Sequence, residues 1–184
     1  MPDLSDLRNQ ISSVTENSYF RKLLLLVPMV AALFLVTDLI LISILAVSSI
    51  ILPIFLNYAG IKMLGIELVT LTTVLTALQL GPGAGAIAGF ALMTAHMVAG
   101  QFSGAYILWV IPSYGIAGFV AGSVGVDITI LGIGIAVVLN SVFTGLTYII
   151  SPKGLSHFIP HAVGNVIINS ALFVYVAPYL FAMM

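Results

Sequence analysis

Between Leu23 and Asn57 the chain carries one acidic or basic side chain, Asp38, and apolar runs of similar length recur to its end. Short clusters of glycine, proline and polar residues separate them. A bilayer core of about 30 Å asks for about 20 apolar residues per helix. The pattern therefore predicts an all-α integral membrane protein, with about six transmembrane helices in a single compact bundle. The expected spans are about 23–45, 62–80, 84–99 and 105–122, then one from just after Asp127 to about Ile150 and one from about Pro160 to Met184. The turns Gly81-Pro82-Gly83 and Ser151-Pro152-Lys153-Gly154 punctuate them, because glycine supplies unusual backbone angles and proline stops a helix. Ala46 to Gly60 is apolar but carries Ser48, Ser49, Pro53 and Asn57. It reads as a short helix or re-entrant cap on the outer side, with a seventh span as the alternative.

Residues 1–22 form a polar segment before the transmembrane helical domain, 23–184. Leu4, Leu7, Ile11 and Val14 recur at helical spacing, as in an amphipathic helix lying on a membrane surface; a frayed polar tail is the alternative. Arg8, Arg21 and Lys22 are the densest positive charge in the chain. The positive-inside rule puts that end in the cytoplasm of a plasma-membrane protein, and six spans return the C-terminus to the same side.

Composition sharpens this picture. With 61% hydrophobic and 6% charged residues, the chain lies far from soluble domains, of which about 25% is charged. Five basic side chains and a net charge of -1, without a basic cluster, exclude nucleic acid as an expected partner. There is no cysteine, hence no disulfide and no thiolate metal site.

Polar groups inside the spans are few and concentrate toward the outer half of the expected topology. An ionisable group in the bilayer is costly unless it faces the bundle interior or a wet cavity. That makes Glu67 and Asp38 candidates, set against an interfacial Glu67 and a structural Asp38. His96 lies near the outer end of the third span, as a core histidine or a ligand contact. Asn165 and Asn169 share a helix face at i and i+4 and must either bond across helices or meet a solute. Asn140 lies near the middle of the fifth span. Gln101, Tyr106, Trp109, Lys153, His157 and His161 fall on the outer connections. Tyr106 and Trp109 read as an interfacial belt or as a stacking surface for an aromatic ligand. His157 and His161 are one turn apart, but Pro160 between them argues against a continuous helix and a metal pair. No metal or cofactor is expected.

Gly81, Gly85 and Gly89 recur every four residues, as do Gly118 and Gly122, so helix backbones can approach closely along these stripes. No P-loop, nucleophile elbow or HExxH motif occurs, and the expectation is a protein without enzymatic activity. A lipid head-group enzyme using Glu67 or Asp38 as base is the less favoured reading.

The segment Leu80-Gly-Pro-Gly-Ala-Gly-Ala-Ile-Ala-Gly-Phe-Ala-Leu-Met, then His96, then Ile111-Pro-Ser-Tyr-Gly-Ile-Ala-Gly-Phe-Val-Ala-Gly122 resembles the central region of substrate-binding S components of energy-coupling factor (ECF) vitamin transporters. Ile159-Pro-His-Ala-Val-Gly-Asn-Val-Ile-Ile-Asn169, with Pro178, is similar to the last helix of that group. The resemblance implies a membrane-embedded receptor that captures a vitamin-like small molecule in an outward pocket. A separate transmembrane coupling protein and two ATP-hydrolysing subunits would energise uptake, with membrane lipid around the receptor. By position, the pocket would be lined by Asn57, Tyr58, His96, Gln101, His161 and Asn165, to which the chain's own polar pattern adds Glu67 and Tyr106. The family's paired alanines for docking the coupling protein are not matched, since Ala31-Ala32 is followed at that spacing by Leu35 and Val36. The alternative is a scaffold of the same fold that recruits partner membrane proteins and binds no solute.

Overall fold

The computed structural model describes residues 18–150 and 155–184, with side chains from Val36 onward except those of Lys62 and His157. The expected amphipathic segment around Leu4–Val14 and Lys153 lie outside the described residues, as do the side chains of Ala31, Ala32 and His157. All described secondary structure is helical: α1 (Ser18–Tyr58), a 3₁₀ turn (Lys62–Leu64), α2 (Val69–Leu80), α3 (Pro82–Ala99), α4 (Ile107–Ser123), α5 (Ile128–Ile150), α6 (Leu155–Tyr175) and α7 (Ala177–Met183). Four stretches, Val36–Tyr58, Pro82–Ala99, Ile128–Ile150 and Phe158–Tyr175, are long and apolar enough to cross a membrane. Helices α2 and α4 are apolar but shorter. This all-helical architecture suggests a membrane protein.

The chain divides into two compact units, Met1–Leu39 and Ile40–Met184. In the first, the described structure is the α1 backbone from Ser18 and the side chains of Val36 to Leu39, including Asp38.

Three boundaries differ from the sequence expectation. Ala46 to Tyr58 is neither a separate short helix nor a re-entrant cap but continues α1. The serines that argued for a break satisfy themselves within the helix: Ser48 Oγ donates to the Ile44 carbonyl and Ser49 Oγ to that of Leu45, both at 2.8 Å. The helix ends at Tyr58, and Gly60 just beyond it, with φ of 73°, lets the Ile61 amide bond the Leu56 carbonyl at 3.0 Å. The expected second span begins late, because Lys62 to Leu68 folds as a 3₁₀ turn and an irregular link before α2. The last span breaks at Val176, since Pro178 has no N–H for the carbonyl one turn back. Pro160, by contrast, sits inside a continuous α6, so the helix expected to be interrupted there is not.

Helix α2 is the centre of this unit. Every residue from Val69 to Ala77 is buried, as a helix that is apolar all round demands. Two of its four threonines bond back to carbonyls, Thr72 to Leu68 at 2.8 Å and Thr76 to Thr72 at 2.7 Å. One apolar cluster gathers Val69, Met93, Val110, Tyr114, Leu139 and Phe143 at its N-terminal end. A second gathers Leu75, Ala121, Leu131 and Phe173 toward its C-terminal end. The glycine stripes join α3 to α4: a Cβ on Gly85 would collide with Ala77 and the Gly118 carbonyl, and one on Gly118 with the Gly85 carbonyl. Outward-facing side chains such as Val138 (60% exposed) and Ile149 (75% exposed) are apolar, as lipid contact requires.

Candidate functional site

The irregular link before α2 places the one acidic side chain of the site. Gly65, at φ 67°, runs so close to α6 that any side chain there would strike the His161 carbonyl and the Asn165 amide. Asn165 Nδ2 holds the Gly65 carbonyl at 3.0 Å. Two residues on, Glu67 is buried and its Oε2 accepts the Thr70 amide of the first turn of α2 at 2.9 Å. The carboxyl thereby meets the amide-rich, partially positive end of that helix.

The other carboxyl oxygen is crowded with donors. Glu67 Oε1 accepts from Thr70 Oγ1 at 2.5 Å, from Asn169 Nδ2 at 2.9 Å and from Asn165 Nδ2 at 3.4 Å. Thr70 Oγ1 lies 3.3 Å from the Tyr114 hydroxyl. Asn165 Oδ1 accepts from Asn140 Nδ2 at 2.7 Å and from Asn169 Nδ2 at 3.1 Å, and Asn140 also bonds the Ala136 carbonyl of its own helix at 2.8 Å. One network thus ties α2, α4, α5 and α6 around Glu67. Asn165 thus bonds across helices to Asn140, and Asn169 reaches Glu67, while Asn169 Oδ1 is buried without a partner.

Beside this network lies a cavity of about 390 Å³, within the range of small-molecule sites. Its lining includes Glu67, Asn140 and Asn165, with Tyr114 on α4 and Thr147 on α5. His96, Met93 and Met97 of α3 form one wall, and the connection from Phe102 to Tyr106 forms part of the rest. Trp109, Phe143, Phe158 and His161 supply further rings, and Met63 and Ile150 also reach it.

His96 is held by a local defect in α1. Pro53 has no N–H, so the Ser49 carbonyl lacks its ordinary partner four residues on. His96 Nδ1 lies 3.2 Å from that carbonyl. A carbonyl only accepts, so the proton is on Nδ1, and in the neutral ring Nε2 keeps its lone pair. Ser49 Oγ meets Thr72 Oγ1 at 3.0 Å, and the imidazole stacks on Phe102 at 5.7 Å between ring centres.

Of the residues singled out from sequence, Glu67, His96, Tyr106, Trp109, Asn140, His161 and Asn165 line the cavity. Asn57, Tyr58 and Gln101 do not; Tyr58 is 93% exposed and Gln101 is an exposed turn residue with φ 53°. Sequence reasoning did not place Tyr114, Phe143, Thr147 or the three methionines at the site. Their side chains look like ordinary core or span residues, and only the packing of α3, α4, α5 and the 3₁₀ turn brings them together. Among the described residues, no cluster of three or more His, Asp or Glu side chains suits a metal ion.

No protein-family model, curated protein or solved structure matches this chain. The class established by its architecture is an all-helical protein with several membrane-length apolar helices and a partly polar cavity among them.

Proposed function

We propose that the chain is a non-catalytic, membrane-embedded capture subunit for a small, vitamin-like solute, energised by other proteins. The observation that carries this reading is the cavity, which brings together the buried amides of Asn140 and Asn165, the Glu67 carboxyl and the His96 imidazole beside the Trp109 indole. Polar groups at membrane depth are costly, and their gathering around one void is the arrangement expected of a binding site. The cavity sits where the α3–α4 connection, the end of α5 and the start of α6 meet. On the orientation expected from Arg8, Arg21 and Lys22, that end faces outward.

The resemblance to ECF S components supports the finer version of the reading. The receptor would lie in the plasma membrane with both termini cytoplasmic and would work with a coupling protein and ATP-hydrolysing subunits. The scaffold alternative draws on the glycine stripes, yet Gly85, Gly89, Gly118 and Gly122 are engaged in contacts among α2, α3 and α4. That leaves these stripes less surface for recruiting a partner.

Mass spectrometry of small molecules released by denaturing the gently purified protein tests the proposal. A stoichiometric organic solute is the expected result. An empty protein that retains a second membrane protein overturns solute capture in favour of the scaffold.

A further inference from the structure

Most polar atoms around the cavity already have partners. Both hydrogens of Asn140 Nδ2 are engaged, Asn165 is bonded through both ends of its amide, and the Glu67 oxygens accept four donor contacts. Trp109 Nε1 and Thr147 Oγ1 lack partners but are sealed from solvent. His96 Nε2 is different. It meets no hydrogen-bond partner among the described residues, yet it is not one of the sealed atoms. Because His96 is a wall residue of the cavity, the surface that Nε2 keeps is cavity surface.

Two contacts fix how this atom is presented. Nδ1 is tied to the Ser49 carbonyl of α1 at 3.2 Å, and the ring lies nearly parallel to that of Phe102, at 14°. The two ring nitrogens diverge, so with Nδ1 turned to α1, Nε2 points away from it. The proton on Nδ1 is committed to Ser49, and the neutral ring offers Nε2 as an acceptor. Nearby walls are rings and thioethers, from Trp109, Phe143, Phe158, Met93 and Met97, which suit a flat, largely apolar body. Ser103, Gly104 and Ala105 are exposed and also line the cavity, which gives a solute a way in.

An acceptor in such a pocket selects by chemistry, since the group that meets it must carry a hydrogen. We infer that the captured solute is a ring compound that presents an N–H or O–H to His96 Nε2, which makes His96 a specificity-determining residue. This deepens the capture reading and rests on it. A ring of the same outline without that hydrogen leaves Nε2 unpaired, and a site built to hydrogen-bond one group rejects the analogue that lacks it.

Indole and benzofuran test this, because both are neutral bicyclic rings of one outline and only indole carries a donor. Equilibrium dialysis against the full chain in lipid nanodiscs, at about pH 8 and so above the ordinary histidine range, gives both affinities after correction with empty nanodiscs. Indole is expected to bind about tenfold tighter than benzofuran. The chain has three histidines. With these labelled with nitrogen-15, indole is expected to move the Nε2 resonance of His96 and benzofuran to leave it in place, a difference that a purely structural imidazole would not give. The double variant Pro53→Ala, His96→Phe keeps a ring against Phe102, returns an N–H to the Ser49 carbonyl and removes Nε2. It is expected to bind the two probes equally, and the resonances it loses are those of His96; should it fail to fold, His157→Gln and His161→Gln assign them by elimination. Equal binding of the two rings by the unaltered chain, an Nε2 resonance that indole does not move, or a preference for indole that survives the loss of Nε2 overturns the inference and leaves solute capture standing. Recovery of a stoichiometric native solute without an N–H or O–H does the same. An empty protein that binds neither ring removes the capture reading as well.

Discussion

His96 Nδ1 donates to the Ser49 carbonyl across 3.2 Å, the carbonyl that Pro53 leaves without a helical partner. A cavity-wall imidazole thus repairs a defect in the neighbouring helix, and its tautomer follows from that repair. His96→Leu leaves a buried carbonyl unmet and is expected to cost about 1–3 kcal/mol of stability. Pro53→Ala restores an N–H at that carbonyl, though it removes a buried ring. The two changes are therefore expected to be non-additive, the double variant losing about 1 kcal/mol less than the separate losses predict. Thermal unfolding of the three variants in nanodiscs measures this, and strict additivity would show that His96 does not serve the Ser49 carbonyl.

Glu67 is held by neutral donors from three sides: the Thr70 amide and hydroxyl, Asn169 and Asn165. Glu67→Gln keeps the shape but turns one acceptor into a donor, which must then face either the Thr70 amide or the asparagine amides. We expect a loss of about 1–3 kcal/mol, together with weaker retention of any bound solute. Unfolding midpoints and the amount of co-purified solute are the readouts. Unchanged stability would mean that the carboxyl does not organise the network.

How much of this was legible in the sequence follows from the range over which each feature is encoded. The bounds of helices α3, α4 and α5 were readable to within a few residues, because Gly81-Pro82, the Gly100–Gly104 loop and Asp127 are local signals. Asp127 caps its own helix, with Oδ1 accepting the Thr129 amide at 2.9 Å. Glu67, His96 and Asn165 were legible as candidates because polar groups stand out in apolar runs. The continuity of α1 was not, since Ser48 and Ser49 resemble loop residues until their hydroxyls are seen bonding back to the helix. Nor was the late start of α2, which depends on Gly65 meeting α6 a hundred residues away. Thr147 and Phe143 gave no signal, because a cavity is what packing leaves over rather than a property of either residue.

Asn165 joins three elements that are remote in sequence: it donates to the Gly65 carbonyl and accepts from Asn140. Asn165→Asp keeps the acceptor for Asn140 but removes the donor to Gly65 and brings a second carboxyl toward Glu67. Asn165→Leu removes both bonds without adding charge. Each is expected to be destabilising by roughly 2 kcal/mol or more, with Asn165→Asp the worse of the two at neutral pH. Thermal unfolding of the two variants measures this, and equal losses would remove carboxyl repulsion as the cause.

Gly118 and Gly134 separate packing from helix propensity. A methyl group on Gly118 would run into the backbone of Gly85 and Ala86, where α3 and α4 touch, whereas one on Gly134 would meet nothing within 4 Å. Backbone cannot move aside as a flexible side chain can, so Gly118→Ala must part the two helices and is expected to cost about 1–3 kcal/mol. Gly134→Ala lies on the exposed face of α5. It removes the conformational freedom of glycine without a clash and is expected to be neutral or stabilising by up to about 1 kcal/mol. The two substitutions add the same atoms, so opposite shifts in unfolding midpoint would assign the α3–α4 stripe to internal packing. A tolerated Gly118→Ala would free that stripe from the close contact and return it to the surface available for a partner.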